Sequence, residues 1–206
     1  MSLLSDLAGA VADGSVEVVD LTAPLTDKTP ILALPEPFGN TWPFELVEIS
    51  RYDDRGPAWY WNNIRTGEHT GTHLDAPIHW VSGQQAGDVS QVPPRRLVAP
   101  AVVLDVAERV AEDPDFLLSI DDVTAWQDEH GPLPEGGWLL YRTGWDARGD
   151  DPTAFANGGR TPGIAVECAR WLAESTPIIG LGVETAPLPI VNGSGSPCRV
   201  LALVGS

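Results

Sequence analysis

The stretch Glu68-His69-Thr70-Gly71-Thr72-His73-Leu74-Asp75-Ala76-Pro77-Ile78-His79-Trp80 decides how the chain is read, because it places three of the four histidines and one aspartate inside eleven residues. Neutral imidazole and carboxylate are the side chains that bind a borderline divalent cation such as Zn²⁺. His69 and His73 are spaced to share a helix face, but Thr70, Gly71, Thr72 and Pro77 make a poor helix interior. Full extension fails as well. At a rise of roughly 3.3 Å per residue His69 and Asp75 would lie about 20 Å apart, whereas atoms bound about 2.0–2.2 Å from one metal must be close neighbours. The spacing therefore predicts a chain that leaves a strand near Ile64, curls with Gly71 in a conformation open to glycine, and is redirected by Pro77. A set of core histidines paired with Asp75 and backbone carbonyls is the bland alternative, and the convergence of so many ligand types weighs against it.

Working outward, 206 residues are enough for one domain with a single core that buries about 70–75% of the unfolded surface. A net charge of -17 lacks the basic footprint that nucleic acid or an anionic membrane surface requires. No run approaches the roughly 18 apolar residues of a spanning helix. The start of the chain has no signal-peptide pattern, and Leu3, Leu4, Leu7 and Val11 have the spacing of a short amphipathic helix expected to pack on the body. Cys168 and Cys198 show no CxxC spacing, which fits two thiols in a reducing cytoplasm.

Apolar, β-rich runs at 16–21, 44–49, 59–64, 101–106, 138–141, 178–183 and 200–204 read as strands. Ser119 starts a helix, with Asp121 and Asp122 in the first turn. Thr161 followed by Pro162 reads as the start of another helix, running through Val166, Ala169, Arg170 and Leu172. The Gly-, Gln- and Pro-rich loop 83–96 follows the histidine stretch directly and is placed to wall the site. The pattern is that of an α/β domain with a mixed sheet.

The run from His69 to His79 closely resembles the His-x-Gly-Thr-His-x-Asp-x-Pro-x-His signature of the metal-dependent cyclase family, which includes amidohydrolases of the bacterial kynurenine formamidase and isatin hydrolase types. Val18-Val19-Asp20-Leu21-Thr22 resembles the family's opening strand, and Tyr141-Arg142-Thr143-Gly144-Trp145 its Arg-Thr-Gly-Trp strand end. Residues 161–172 and Ile179 to Thr185 resemble the helix and strand that follow. The resemblance implies a swivelling β/β/α domain, a Zn or Mn cofactor held by His69, His73 and Asp75, and His79 as the general acid/base. The bound cation would activate water and polarise a carbonyl; a nearby imidazole suits proton delivery to the leaving nitrogen. The implied activity is metal-dependent hydrolysis of a small aromatic amide, formamide or lactam, in a homo-oligomer.

One departure stands out. The family carries a further metal-binding histidine and a glutamate in a long segment before its closing strand. Here Gly193-Ser194-Gly195-Ser196-Pro197-Cys198-Arg199 already resembles the closing region, and no histidine follows His130. Either the chain is internally shortened, or a partner chain supplies those ligands, or the sequence as given is incomplete; the first raises a second reading, a catalytically impaired paralogue kept as a binding or assembly subunit. A third is a cyclase or lactone-handling enzyme of secondary metabolism. Glu184 is a candidate substitute ligand. Glu68 reads as a supporting residue, and His130 as an exposed helix end. Trp42, Trp59, Tyr60, Trp61 and Trp80 are candidates for an aromatic wall.

Overall fold

The computed structural model describes residues 2–31, 33–149, 151–182 and 194–205. In chain order the strands are β1 (Val16–Asp20), β2 (Glu45–Arg51), β3 (Tyr60–Arg65), β4 (His73–Asp75), β5 (Ala101–Asp105), β6 (Leu117–Leu118), β7 (Trp138–Arg142), β8 (Gly163–Ile164), β9 (Gly180–Gly182), β10 (Gly195–Pro197) and β11 (Leu201–Gly205). The helices are α1 (Leu3–Asp13), α2 (Ala107–Glu112), α3 (Ile120–His130), α4 (Pro152–Ala156) and α5 (Val166–Ser175).

The fold is mixed α/β, with parallel and antiparallel pairings spread over several sheets. β5, β7 and β9 form a parallel sheet in that order, and the α-helical connections such pairing demands are supplied by α3 and α5. β1 pairs antiparallel with β11, β2 with β3, and β4 with β10, while β6 and β8 run parallel. Every strand expected from the sequence is present within two residues, except that Val183 lies outside the described residues.

The main core sits against the parallel sheet. Leu118, Val123, Leu139 and Cys168 are wholly buried there, with Leu172 one helical turn beyond Cys168 on the same face of α5. Each such side chain contributes about 1.5–3 kcal/mol of transfer free energy. α3 is started by a capping box: Ser119 Oγ accepts from Asp122 N–H while the Asp122 carboxylate accepts from Ser119 N–H.

Two expectations are corrected. Thr161-Pro162 does not start a helix; Gly163 and Ile164 instead pair with Leu117 and Leu118, and α5 begins at Val166. The Tyr141 hydroxyl donates to Gly163 O at 3.1 Å, and this contact with the core holds the segment extended. α1 is helical as expected, yet none of its residues is buried, and Leu3 and Leu4 are 82% and 77% exposed. Its main neighbour is the narrow β1 strand, which leaves the apolar stripe uncovered. Cys168 and Cys198 form no disulfide. Among the described residues no helix is long and apolar enough to cross a membrane.

Candidate metal centre

A second, smaller core carries the site. Leu74, Ala76 and Val89 are buried together, with Leu97 and Trp138 packed against them. Leu74 points into this core, so its neighbours His73 and Asp75 on the same short strand face the other way. Gly71 has a φ of 64°, in the left-handed region, and lies against Leu25; a Cβ there would come within 2.4 Å of Leu25 Cδ2. Thr72 Oγ1 accepts from Ala23 N–H at 3.0 Å and ties the curl to the chain before it. Beyond Asp75, Pro77–His79 forms a single 3₁₀ turn with proline at its start, and His79 N–H donates to Ala76 O at 2.9 Å. The turn brings His79 back over His69, their ring centres 3.9 Å apart.

The loop thus gathers the predicted residues. His69 Nδ1 lies 2.7 Å from Asp75 Oδ1, and His73 Nε2 lies 3.3 Å from the same oxygen. Ligand atoms of His69, Asp75 and His79 all lie within 4.8 Å of one another, a group able to hold a metal ion, so the structure gathers His79 with His69 and Asp75 where the sequence reading puts His73, which reaches only Asp75 of that group. The chemistry of the donor set fits a cation. His73 Nδ1 is 2.7 Å from Gly71 O, and a carbonyl only accepts, so the proton is on Nδ1 and the lone pair of a neutral His73 is on Nε2, facing Asp75. Acceptor atoms that converge on one carboxylate oxygen need positive charge between them, either a proton or a metal.

The electrostatics bear differently on the three residues. Hydrogen bonds from His73 and His69, against the opposing effect of burial, hold the Asp75 carboxyl at about 2. Burial pushes the His73 imidazole down, but its bonds to Asp75 and Gly71 O more than offset this, so it lies above its ordinary value. His69 lies below its ordinary value because burial outweighs the pull of Asp75, which favours the neutral, metal-binding form.

Beside Asp75 opens a cavity of about 710 Å³, bounded by His73, Gln91, Arg96, Trp138 and Leu181. The loop after the histidine stretch does form one wall, pinned by Arg96 Nη2 donating to Ile179 O at 2.9 Å and by Trp138 Nε1–H donating to Arg96 O at 2.8 Å. The expected aromatic wall is different from the one found. Trp42, Trp59, Tyr60, Trp61 and Trp80 are 40–60% exposed and do not line this cavity; Trp138 does. Gly180 is what lets it, since a Cβ there would come within 2.5 Å of the Trp138 ring.

His130 ends α3, exposed and beside Trp126, away from the site. Glu184 lies outside the described residues. One site neighbour escaped the sequence reading: Ser194, whose hydroxyl lies 3.0 Å from His69 Nε2 and donates to Glu68 Oε2 at 2.6 Å. Its Gly-Ser-Gly-Ser setting marked a closing strand but gave no sign of which histidine it would meet.

Residues 19–188 match the cyclase family model, described as "Putative cyclase". An isatin hydrolase from Roseibium aggregatum is 37% identical over 257 aligned positions, spanning 98% of this chain and 97% of the relative. The chain belongs to the cyclase family. Isatin hydrolase A from Ralstonia solanacearum superposes with a TM-score of 0.94 at 39% identity, covering 99% of this cyclase and 98% of that chain. An isatin hydrolase bound to the product analogue thioisatinate gives 0.93 at 35% identity, covering both chains fully. The alignment of 257 positions exceeds the 206 residues of this cyclase, so the Roseibium enzyme has residues with no counterpart here.

Proposed function

We propose that this cyclase is a metal-dependent amidohydrolase that opens the C–N bond of a small aromatic lactam or amide, with isatin as the leading substrate. The observation that carries the proposal is the convergence of His69, His73, Asp75 and His79 beside a cavity large enough for a planar bicyclic molecule. His69, His73 and Asp75 would hold a Zn or Mn ion, which when bound supplies an activated water and a polarised substrate carbonyl. His79, fixed by its 3₁₀ turn and stacked on His69, delivers the proton to the departing nitrogen. Trp138 offers a ring face against which an aromatic substrate can lie.

The test is hydrolysis of isatin and of formylkynurenine by protein reconstituted with Zn²⁺ or Mn²⁺, followed as product formation. Turnover on the order of 10 s⁻¹ is the expected scale for a working enzyme; no turnover of either compound by metal-replete protein overturns the assignment.

The alignment length fits a chain shorter than the Roseibium enzyme, and with the difference placed before the closing strand, as the family resemblance implies, it gives a second reading, a catalytically impaired paralogue. The place matters to the site, because both β9, with Gly180 to Gly182, and β4, with His73 to Asp75, line the cavity. A wall missing here would admit solvent and loosen substrate positioning. Restoring a family segment with its histidine and glutamate should then raise turnover.

We also propose one domain over residues 1–206, a cytoplasmic location and a homo-oligomeric state. The β2–β3 ribbon carries apolar side chains on its surface: Leu46, Trp61 and Ile64 are 52%, 53% and 66% exposed. A two-stranded ribbon alone is marginal in water, so a second copy is the expected cover. Sedimentation velocity should show a dimer or larger assembly, and a monomer at micromolar concentration would refute this.

A further inference from the structure

Arg96 carries the one permanent positive charge among the described residues that border the cavity, and it forms no ion pair with any described residue. The carboxylates bordering the same space are already engaged. Asp75 is held by His69 and His73, and Asp88 Oδ1 accepts from the Ser90 N–H and hydroxyl at 2.9 and 2.6 Å. A guanidinium left without a carboxylate at a cavity wall is a place for one carried by a ligand.

The group is held rather than loose. Arg96 Nη2 donates to Ile179 O at 2.9 Å, and the Arg96 carbonyl accepts from Trp138 Nε1–H at 2.8 Å. Gly180, the next residue after Ile179, lies against the six-membered part of the indole, where a Cβ would come within 2.5 Å of Trp138 Cζ3. The guanidinium and the Trp138 ring thus meet adjacent residues of one strand end, which sets the positive charge beside the aromatic surface. One N–H of the fork is committed to Ile179 O, and the others have no partner among the described residues. Gln91 adds a second such donor. It borders the same cavity, its side chain lies over Gly87, where a Cβ would come within 2.6 Å of Gln91 Oε1, and its amide has no hydrogen-bond partner among the described residues.

We infer that Arg96 and Gln91 form a carboxylate-binding subsite beside Trp138, so that among small aromatic amides the cavity favours those that carry a carboxylate of their own. The planar fork of an arginine matches the two oxygens of a carboxylate, and the Gln91 amide nitrogen can donate to the same group. Isatin, which is uncharged, leaves the subsite unfilled. The inference rests on the reading of the cavity as the substrate site of an amidohydrolase. The sign of the effect is diagnostic, because a net charge of -17 repels anions from the protein as a whole. A preference for the anionic ligand has to come from a local positive group.

The experiment is an NMR titration of metal-free, ¹⁵N-labelled protein with 2- and 4-formamidobenzoate, each against the formamidobenzamide in which an uncharged amide replaces the carboxylate. Wild type should bind at least one of the carboxylates about tenfold tighter than its amide counterpart, the low end for a hydrogen bond to a charged group because Arg96 is exposed to solvent. Arg96→Met should abolish the preference and leave the affinity for the benzamide unchanged. Gln91→Leu should reduce the preference by about twofold to fivefold, and it carries the mutational arm if Arg96→Met does not fold. A wild type with no preference for the carboxylate, or a preference kept in full by either variant, overturns the inference. Addition of Zn²⁺ separates the subsite from the reaction: a carboxylate preference in protein that, once metal-replete, hydrolyses neither these compounds nor isatin supports the subsite and overturns the amidohydrolase reading instead.

Discussion

Gly195 lies directly against His69: a Cβ at position 195 would come within 2.4 Å of His69 Cε1 and 2.8 Å of His69 Nδ1. The closing strand therefore limits where the ligand ring can sit. Gly195→Ala should displace the ring and lower Zn²⁺ affinity by about tenfold or more, with an overpacking cost of about 1–3 kcal/mol. Isothermal titration and urea unfolding measure the two effects, and an unaltered Zn²⁺ affinity would show that the ring has room to spare.

The roles of His73 and His79 separate by metal content. His73 Nε2 faces Asp75, so His73→Ala should lose bound metal. His79→Ala should keep it and lower kcat by about 10²–10⁴, the usual worth of a general acid/base. Elemental analysis of both variants decides this; if His79→Ala loses the metal while His73→Ala retains it, the two assignments exchange.

Stoichiometry follows from the ligand count. Three protein ligands suit one site with an open position, so each protomer should hold at most one tightly bound metal. Two metals per chain in a proven monomer would contradict this.

Burial pushes the Tyr141 phenol up to about 12 from an ordinary value of 10. The folded state then keeps a proton that the unfolded chain has released, so stability is unaffected below pH 10 and falls as pH rises from 10 to 12. The loss across that window is about 2–3 kcal/mol. Tyr141→Phe gives up the hydrogen bond to Gly163 O, costing about 1 kcal/mol near neutrality. Its unfolding free energy should be flatter than wild type between pH 9 and pH 11.5 by roughly that alkaline increment; parallel curves would remove Tyr141 from the account.

Ser119→Ala removes the Oγ that accepts from Asp122 N–H, leaves the Ser119 backbone N–H to the Asp122 carboxylate, and should cost about 0.5–2 kcal/mol. The midpoint of urea denaturation should fall with its slope unchanged.

The histidine loop was readable because its constraints are local. Gly71 and Pro77 shape the turn through their own dihedrals, and the candidate ligands lie within one short segment. β5 and β7 were readable because their apolar runs are long enough to be strands in any packing. What failed depended on distant partners. Thr161-Pro162 has good helix-start chemistry, but pairing with Leu117 and Leu118 and the Tyr141 contact keep the next residues extended. The aromatic residues of the ribbon looked like pocket material, yet Trp138 took that place because Gly180, 42 positions later in the chain, leaves room for its ring. Ser194 meets His69 across 125 residues, a distance at which spacing rules say nothing.

That last separation bears on how the protein matures. The histidine loop lies in the first half of the chain, while Ser194, which meets His69, comes just ahead of the final strands. The wall that Ser194 and Gly195 set against His69 is therefore complete only once β10 has paired with β4, and a chain trimmed before β10 would carry the histidine loop with that side of the ring open.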